Sequence, residues 1–141
     1  MSATFEVKDI IQFIGEEFNL ERIGEDTDLY YDLDIGGDDF FEMIADFSER
    51  FKVDVSKYLW YFHSDEQSIN IGGLFFRPPN RRVKRIPVTP KLLTQFANSG
   101  GWGMVYPEHT LPARRWDLII NRILAFVLLA GICVYLMWGK V

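Results

Sequence analysis

One cysteine and two histidines are all that this 141-residue chain has of the side chains that most often bind metals or drive nucleophilic chemistry. Cys133 is alone, so no disulfide can close a loop, and a reducing compartment suits the chain. His63, His109 and Cys133 cannot supply a zinc site with several His or Cys ligands. Neither histidine sits in a motif that would give a nucleophile its base. Gly36-Gly37 and Gly100-Gly101 are too short to cradle a phosphate, and a turn or helix cap accounts for each. The aspartates Asp28, Asp32, Asp34, Asp38 and Asp39 lack the glycine and the bidentate glutamate that a calcium loop needs at fixed offsets. No carboxylate is placed by the sequence in an apolar pocket where it would become a general acid. No catalytic residue, metal or cofactor is therefore expected, and no small-molecule substrate is indicated.

Basic residues are also scarce at the front. Residues 1–75 hold 18 acids and 5 bases, a net −13, whereas residues 76–141 hold 2 acids and 10 bases, a net +8. An acidic head followed by a basic rear is the result. The stretch from Met1 to Ile14 has neither a basic start nor an apolar core, so it does not read as a signal peptide and the head is expected in the cytosol.

The longest hydrophobic run is at the other end. Leu118 to Trp138 reads LIINRILAFVLLAGICVYLMW, with Arg122 its only charge. At about 1.5 Å per residue that run reaches about 30 Å, the thickness of a bilayer's hydrocarbon core. From Ile123 onward it lacks the polar face that a soluble helix keeps. Arg114, Arg115 and Arg122 precede or open the run and only Lys140 follows, which puts the N-terminal side in the cytoplasm. Trp116, Tyr135 and Trp138 suit the two interfaces. Ala125, Ala130 and Gly131 are small, without a Gly-xxx-Gly pair, so helix pairing in the membrane stays open.

Ahead of the anchor, Phe5, Ile10, Ile11, Phe13, Ile14 and Phe18 recur at helical spacing, which predicts an amphipathic helix over Thr4–Phe18 capped by Ser2 or Thr4. Residues 24–37 are a loop rich in Gly and Asp, pinned by Leu29, Tyr30, Leu33 and Ile35. A second helix is predicted from Asp38, its cap, to Phe51, with Phe40, Phe41, Ile44, Phe47 and Phe51 as the buried stripe. Val53 to Phe62 is expected to hold a short third helix, with a strand as the alternative because Val, Tyr, Trp and Phe favour sheets. The run RPPNRRVKRIP cannot continue a helix. Thr89-Pro90 then opens a helix of about nine residues that Gly100 and Gly101 close, with Leu92, Leu93 and Phe96 on its apolar face.

The segment DLDIGGDDFFEMIADFSERFKVDV, residues 32–55, together with the order of helix, Asp/Gly-rich loop, helix, short helix and later helix, resembles the acyl carrier proteins. Asp32-Leu33, the helix from Asp38 and Glu49-Arg50-Phe51 carry the likeness without a gap. Thr89 to Trp102, after a basic arm, is similar to an uncharacterised bacterial family of acyl-carrier-like proteins. The resemblance implies an all-α fold: a small acyl-carrier-like helical bundle with an irregular basic arm, to which the sequence adds one C-terminal transmembrane helix. The expected organisation is a helical domain over 1–70, the basic proline-containing arm over 71–88, a short helix completing the bundle over 89–102, a connector over 103–116 and the membrane helix over 117–139.

The serine that carries phosphopantetheine falls on Gly37, or on Asp39 in a register shifted to match Gly37-Asp38, and neither residue has a hydroxyl. A domain without cargo is then expected to act through contact alone. Carrier proteins meet partners through an acidic second helix, and Asp38, Asp39, Glu42, Asp46 and Glu49 form the equivalent face for a protein with a basic surface. The basic arm, Arg77, Arg81, Arg82, Lys84 and Arg85, with Arg114, Arg115 and Arg122, is read first as contact with an anionic lipid surface, and second as docking onto the chain's own acidic head. Nucleic acid is disfavoured because the −13 head repels phosphate. The expected function is thus a non-catalytic, membrane-tethered protein–protein interaction module at the cytoplasmic face of a bacterial inner membrane. Rival readings are an immunity or antitoxin-like protein that neutralises a basic partner, a subunit of a membrane complex, and an atypical carrier protein.

Overall fold

The computed structural model describes residues 4–66 and 68–139. Among them the regular elements are helices: α1 (Val7–Phe18), α2 (Gly37–Phe51), α3 (Pro90–Ser99) and α4 (Trp116–Trp138). Short 3-10 turns occupy Trp60–Phe62, Gly72–Leu74 and Pro79–Arg81. The chain is all-α, and α4 is long and apolar enough to cross a membrane.

α1 begins later than the periodicity suggests. Its cap is Glu6, and the Asp9 carboxylate accepts the Glu6 backbone N–H at 2.8 Å. Thr4 lies outside the helix, and Ser2 lies outside the described residues. The bend after α1 puts Asn19 at φ 52°, a left-handed conformation that asparagine accepts readily. In α3 the reading from Thr89 holds: its hydroxyl accepts the Leu92 N–H, Pro90 fills the first helical position and Gly100 closes the helix at φ 76°.

The core is aromatic and lies where α1, α2 and α3 meet. Phe13 packs edge-on to Phe51 at 5.6 Å between ring centres, and Phe51 is also met by Phe5 at 5.1 Å. Ile10, Ile14, Leu29, Phe40, Met43, Phe47 and Leu93 are fully or almost fully buried with them. Each buried large side chain of this kind contributes about 1.5–3 kcal/mol. One expected member of the stripe is elsewhere: Phe41 is 63% exposed. It sits about 100° round the helix from Phe40, which already fills the core side.

The predicted third helix over 53–62 is not formed beyond the turn at Trp60–Phe62. Asp54 instead makes a parallel bridge with Gly101: its N–H donates to the Gly100 carbonyl at 2.9 Å, and its carbonyl accepts from Trp102 at 2.8 Å. The extended backbone lets Tyr58 face Trp102 edge-on at 4.9 Å. Residues 71–88, expected as an irregular arm, are fastened to the head. The Leu29 N–H donates to the Val88 carbonyl, the Ile86 N–H donates to the Phe62 carbonyl, and Pro78, Pro79 and Val88 are buried.

Candidate functional site

α2 owes its outward face to its sequence. Met43, Ile44, Phe47 and Phe51 take the core side, and Asp38, Asp39, Glu42, Asp46 and Glu49 are all exposed on an arc of about 100° at 3.6 residues per turn. Phe41 and Ala45, both exposed, border that arc on one side. Asp38 and Asp39 lie in the first turn, where negative charge offsets the helix dipole. Four acidic residues elsewhere are engaged by the chain's own arginines: Glu16 by Arg50, Asp28 by Arg85, Glu66 and Asp117 by Arg115. Among the described residues, none of the α2 acids on this arc has an ion-pair partner.

At the N-terminus of α2 the stripe opens onto a groove of about 670 Å³. Phe41, Trp60 and Tyr58 give it aromatic walls, while Asp38, Asp65 and Glu66 rim it and Leu118 of α4 closes one end. Gly37 lines the same groove and adopts φ 55°. Its N–H donates to the Ser64 hydroxyl at 2.9 Å. A side chain at 37 would be held in the left-handed region that glycine tolerates best, so the position lacks a hydroxyl and also disfavours one.

A polar network that the sequence did not reveal supports the groove from behind. His63 is fully buried, stacked on Tyr58 at 5.5 Å. The Tyr106 hydroxyl oxygen accepts from Trp102 Nε1–H at 2.8 Å and from Leu59 N–H at 3.1 Å. With both lone pairs used, its proton goes to His63 Nε2 at 2.8 Å, and His63 Nδ1–H donates to the Ile86 carbonyl at 2.9 Å. That fixes one neutral tautomer. Burial pushes the imidazole down to about 4, the nearby Arg85 adding to the shift and the Ile86 carbonyl opposing it. Burial likewise raises the Tyr58 and Tyr106 phenols.

The basic residues divide. Arg77, Arg81, Arg82, Lys84, Arg114 and Arg122 are exposed. Arg85 and Arg115, expected at the lipid surface with them, face the acidic head instead. Arg85 forks onto the Asp28 carboxylate, with Nη1 at 3.1 Å from Oδ1, and lies 4.2 Å over the Tyr31 ring. Arg115 grips Glu66 through both terminal nitrogens at 2.8 and 2.9 Å and turns Nε to Asp117 at 2.9 Å. These two carboxylates raise its already high pKa. Planar guanidinium groups suit both bidentate pairings. Lys140 lies outside the described residues.

Arg115 is part of a clasp between the head and α4. Asn70 Nδ2 donates to Asp117 at 2.8 Å, Asn121 Nδ2 donates to Asn70 Oδ1 at 3.0 Å, and Gly72 N–H donates to Asn121 Oδ1 at 2.7 Å. Asp117 is 2% exposed. A polar Asn or Asp beside an apolar run was the only signal of this in the sequence.

Residues 6–105 match a family described as a protein of unknown function, DUF1493. The match spans most of the chain, and the protein belongs to that family. It covers the acidic stripe, His63 with Tyr58 and Trp102, and the loop side of the clasp, and ends just before Tyr106 and ahead of α4. No curated protein and no solved structure matches the chain.

Proposed function

We propose that this protein is a non-catalytic, acyl-carrier-like interaction module, held by α4 at the cytoplasmic face of a bacterial inner membrane. The acidic stripe of α2 recognises a basic surface on a partner protein. One observation carries this reading: Asp38, Asp39, Glu42, Asp46 and Glu49 share one exposed face without ion pairs among the described residues, whereas Glu16, Asp28, Glu66 and Asp117 are taken up by the chain's own arginines. Such a field orients and speeds encounter with a cationic surface more than it tightens the final complex. Phe41, exposed at the edge of the stripe, supplies the apolar contact that charge alone does not. Gly37 excludes cargo at the position where a carrier would hold it, so the module works by contact and can stay fixed in place.

The length of α4 supports the tether. Its 23 residues reach about 35 Å, and its outer residues, such as Phe126, Leu128 and Met137, are largely exposed. Exposed Arg114 and Arg122 at its start favour the cytoplasmic side.

Reversing the stripe to lysine tests the proposal. Co-purification from detergent-solubilised membranes is expected to lose a specific partner in the reversed protein and to lose it from the unaltered protein as salt rises. A partner set unchanged by the reversal contradicts the proposal.

A further inference from the structure

The loop between Ile69 and Phe76 is unusually apolar for a solvent-facing segment. Ile69 is 87% exposed, Leu74 77% and Phe75 71%, with Ile71 and Phe76 close to half exposed. The 3-10 turn Gly72–Leu74 at its centre packs against α4, and the Phe76 ring lies 6.4 Å from that of Trp116. Arg77, Arg81, Arg82 and Lys84 follow directly, all exposed.

The clasp sets the depth of this loop. If α4 spans a bilayer, its apolar stretch from Ile123 to Trp138 reaches only about 24 Å, short of the hydrocarbon core, so Leu118, Ile119 and Ile120 sink into the membrane as well. Asp117 and Asn121 are drawn down with them to a depth where an unpaired polar group is costly. The loop supplies partners to both: Asp117 accepts from Asn70, beside Arg115 at the start of α4, and Asn121 pairs with Asn70 and the Gly72 amide. The loop that satisfies them must travel to the same depth, and the side chains it turns outward are the apolar ones.

Resting on the reading of α4 as a membrane span, we propose that residues 69–76 form a lipid-inserted wedge beside the anchor. Leu74 and Phe75 enter the acyl chains, and Arg77, Arg81, Arg82 and Lys84 meet the headgroups. The apolar tip supplies insertion, and the adjoining basic residues prefer anionic lipid. Two attachments, a helix and a wedge joined by the clasp, prevent the head from swivelling on a single tether and hold the acidic stripe of α2 in a fixed aspect.

The test uses the full chain with Cys133→Ser, reconstituted in phosphatidylcholine–phosphatidylglycerol vesicles carrying nitroxide-labelled lipids. A single environment-sensitive fluorophore is placed at Phe75→Cys, Leu74→Cys, Gln95→Cys or Leu128→Cys in turn. Positions 74, 75 and 95 are exposed, so the labels leave the core intact. The wedge predicts at least twofold quenching at 74 and 75 by nitroxides near the headgroup end of the acyl chain. It predicts no quenching at 95, and strongest quenching of 128 by deep nitroxides. Quenching at 128 with none at 74 or 75 overturns the wedge and leaves the anchor standing, whether those labels are open to a soluble quencher or shielded by protein. Equal quenching at 75 and 95 overturns the fixed orientation. Absence of quenching at 128 overturns the membrane span itself.

Discussion

The Gly72 amide donates to Asn121 Oδ1 at 2.7 Å, and a β-carbon on Gly72 would fall 2.0 Å from the Asp117 carbonyl oxygen. The head and α4 therefore meet backbone to backbone, at a contact that only glycine permits. No flexible linker separates the first turn of α4 from the loop it rests on.

Gly72→Ala is expected to open this joint. Overpacking of this kind costs about 1–3 kcal/mol, and because the clash is with backbone it cannot be relieved by a side-chain rotation. Limited proteolysis of the protein in detergent checks it: cleavage between residues 66 and 76 should rise several-fold, while Gly100→Ala, also costly at φ 76°, should not expose that loop.

Asp117→Ala removes the partner of Arg115 Nε and of Asn70 on the anchor side. Arg115 keeps Glu66 and is about a quarter exposed, so solvent screens part of the loss. The expected destabilisation is about 1–2 kcal/mol, for hydrogen bonds to a charged group. Thermal unfolding followed by tryptophan fluorescence measures it, and Asp117→Asn should recover part of the difference through its remaining acceptor.

Tyr106→Phe leaves Trp102 Nε1–H, Leu59 N–H and His63 Nε2 without their shared partner. Buried donors or acceptors left unsatisfied cost about 1–3 kcal/mol each, less where water enters. A loss of about 3 kcal/mol in chemical denaturation is the expected result. His63→Phe, which removes one polar group together with its need, should cost less than Tyr106→Phe.

The buried His63 also makes stability depend on pH. Its imidazole titrates near 6.5 when unfolded and at about 4 when folded, so between those values the unfolded chain binds more protons. Stability from this group is complete above pH 6.5 and declines as pH falls toward 4, by up to about 3 kcal/mol at about 1.4 per pH unit. Midpoints of denaturation between pH 7 and pH 4 should fall with that slope in the native protein, and more shallowly in His63→Phe.

Phe41→Ala separates binding from folding. At 63% exposure the side chain contributes little to the core, and stability should change by no more than about 0.5 kcal/mol. Retention of the partner on the membrane-extracted protein should weaken severalfold.

What the sequence made legible is what short-range periodicity encodes. α2 and α3 lie close to where the spacing of Phe40, Ile44, Phe47 and Leu93 puts them, the cap at Thr89 forms, and α4 begins and ends one residue before the expected helix over 117–139. The miss at 53–62 has a tertiary cause. Tyr58, Phe62 and His63 are spaced for rings of distant residues, Trp102 and Tyr106, and the backbone of Asp54 is held extended by Gly101. Phe41 neighbours Phe40 in the apolar pattern, but helical geometry turns it away from the core and toward the groove. The clasp was not legible: the pairs that join the loop to α4 link residues 47 to 51 apart in the chain, and no local rule links Asn70 to Asp117 and Asn121. Arg85 and Arg115 read as surface charge for the same reason, since their carboxylate partners Asp28 and Glu66 are 57 and 49 residues away.

Photo-crosslinking in intact membranes tests the central claim most directly. A photoreactive residue at Glu42, in the middle of the acidic stripe, is compared with one at Gln95 on α3, which is exposed and outside the stripe. The account predicts a discrete protein adduct from position 42, absent from position 95, that disappears when Asp38, Asp39, Asp46 and Glu49 are reversed to lysine. No adduct at 42, or one that persists unchanged after the reversal, would contradict it.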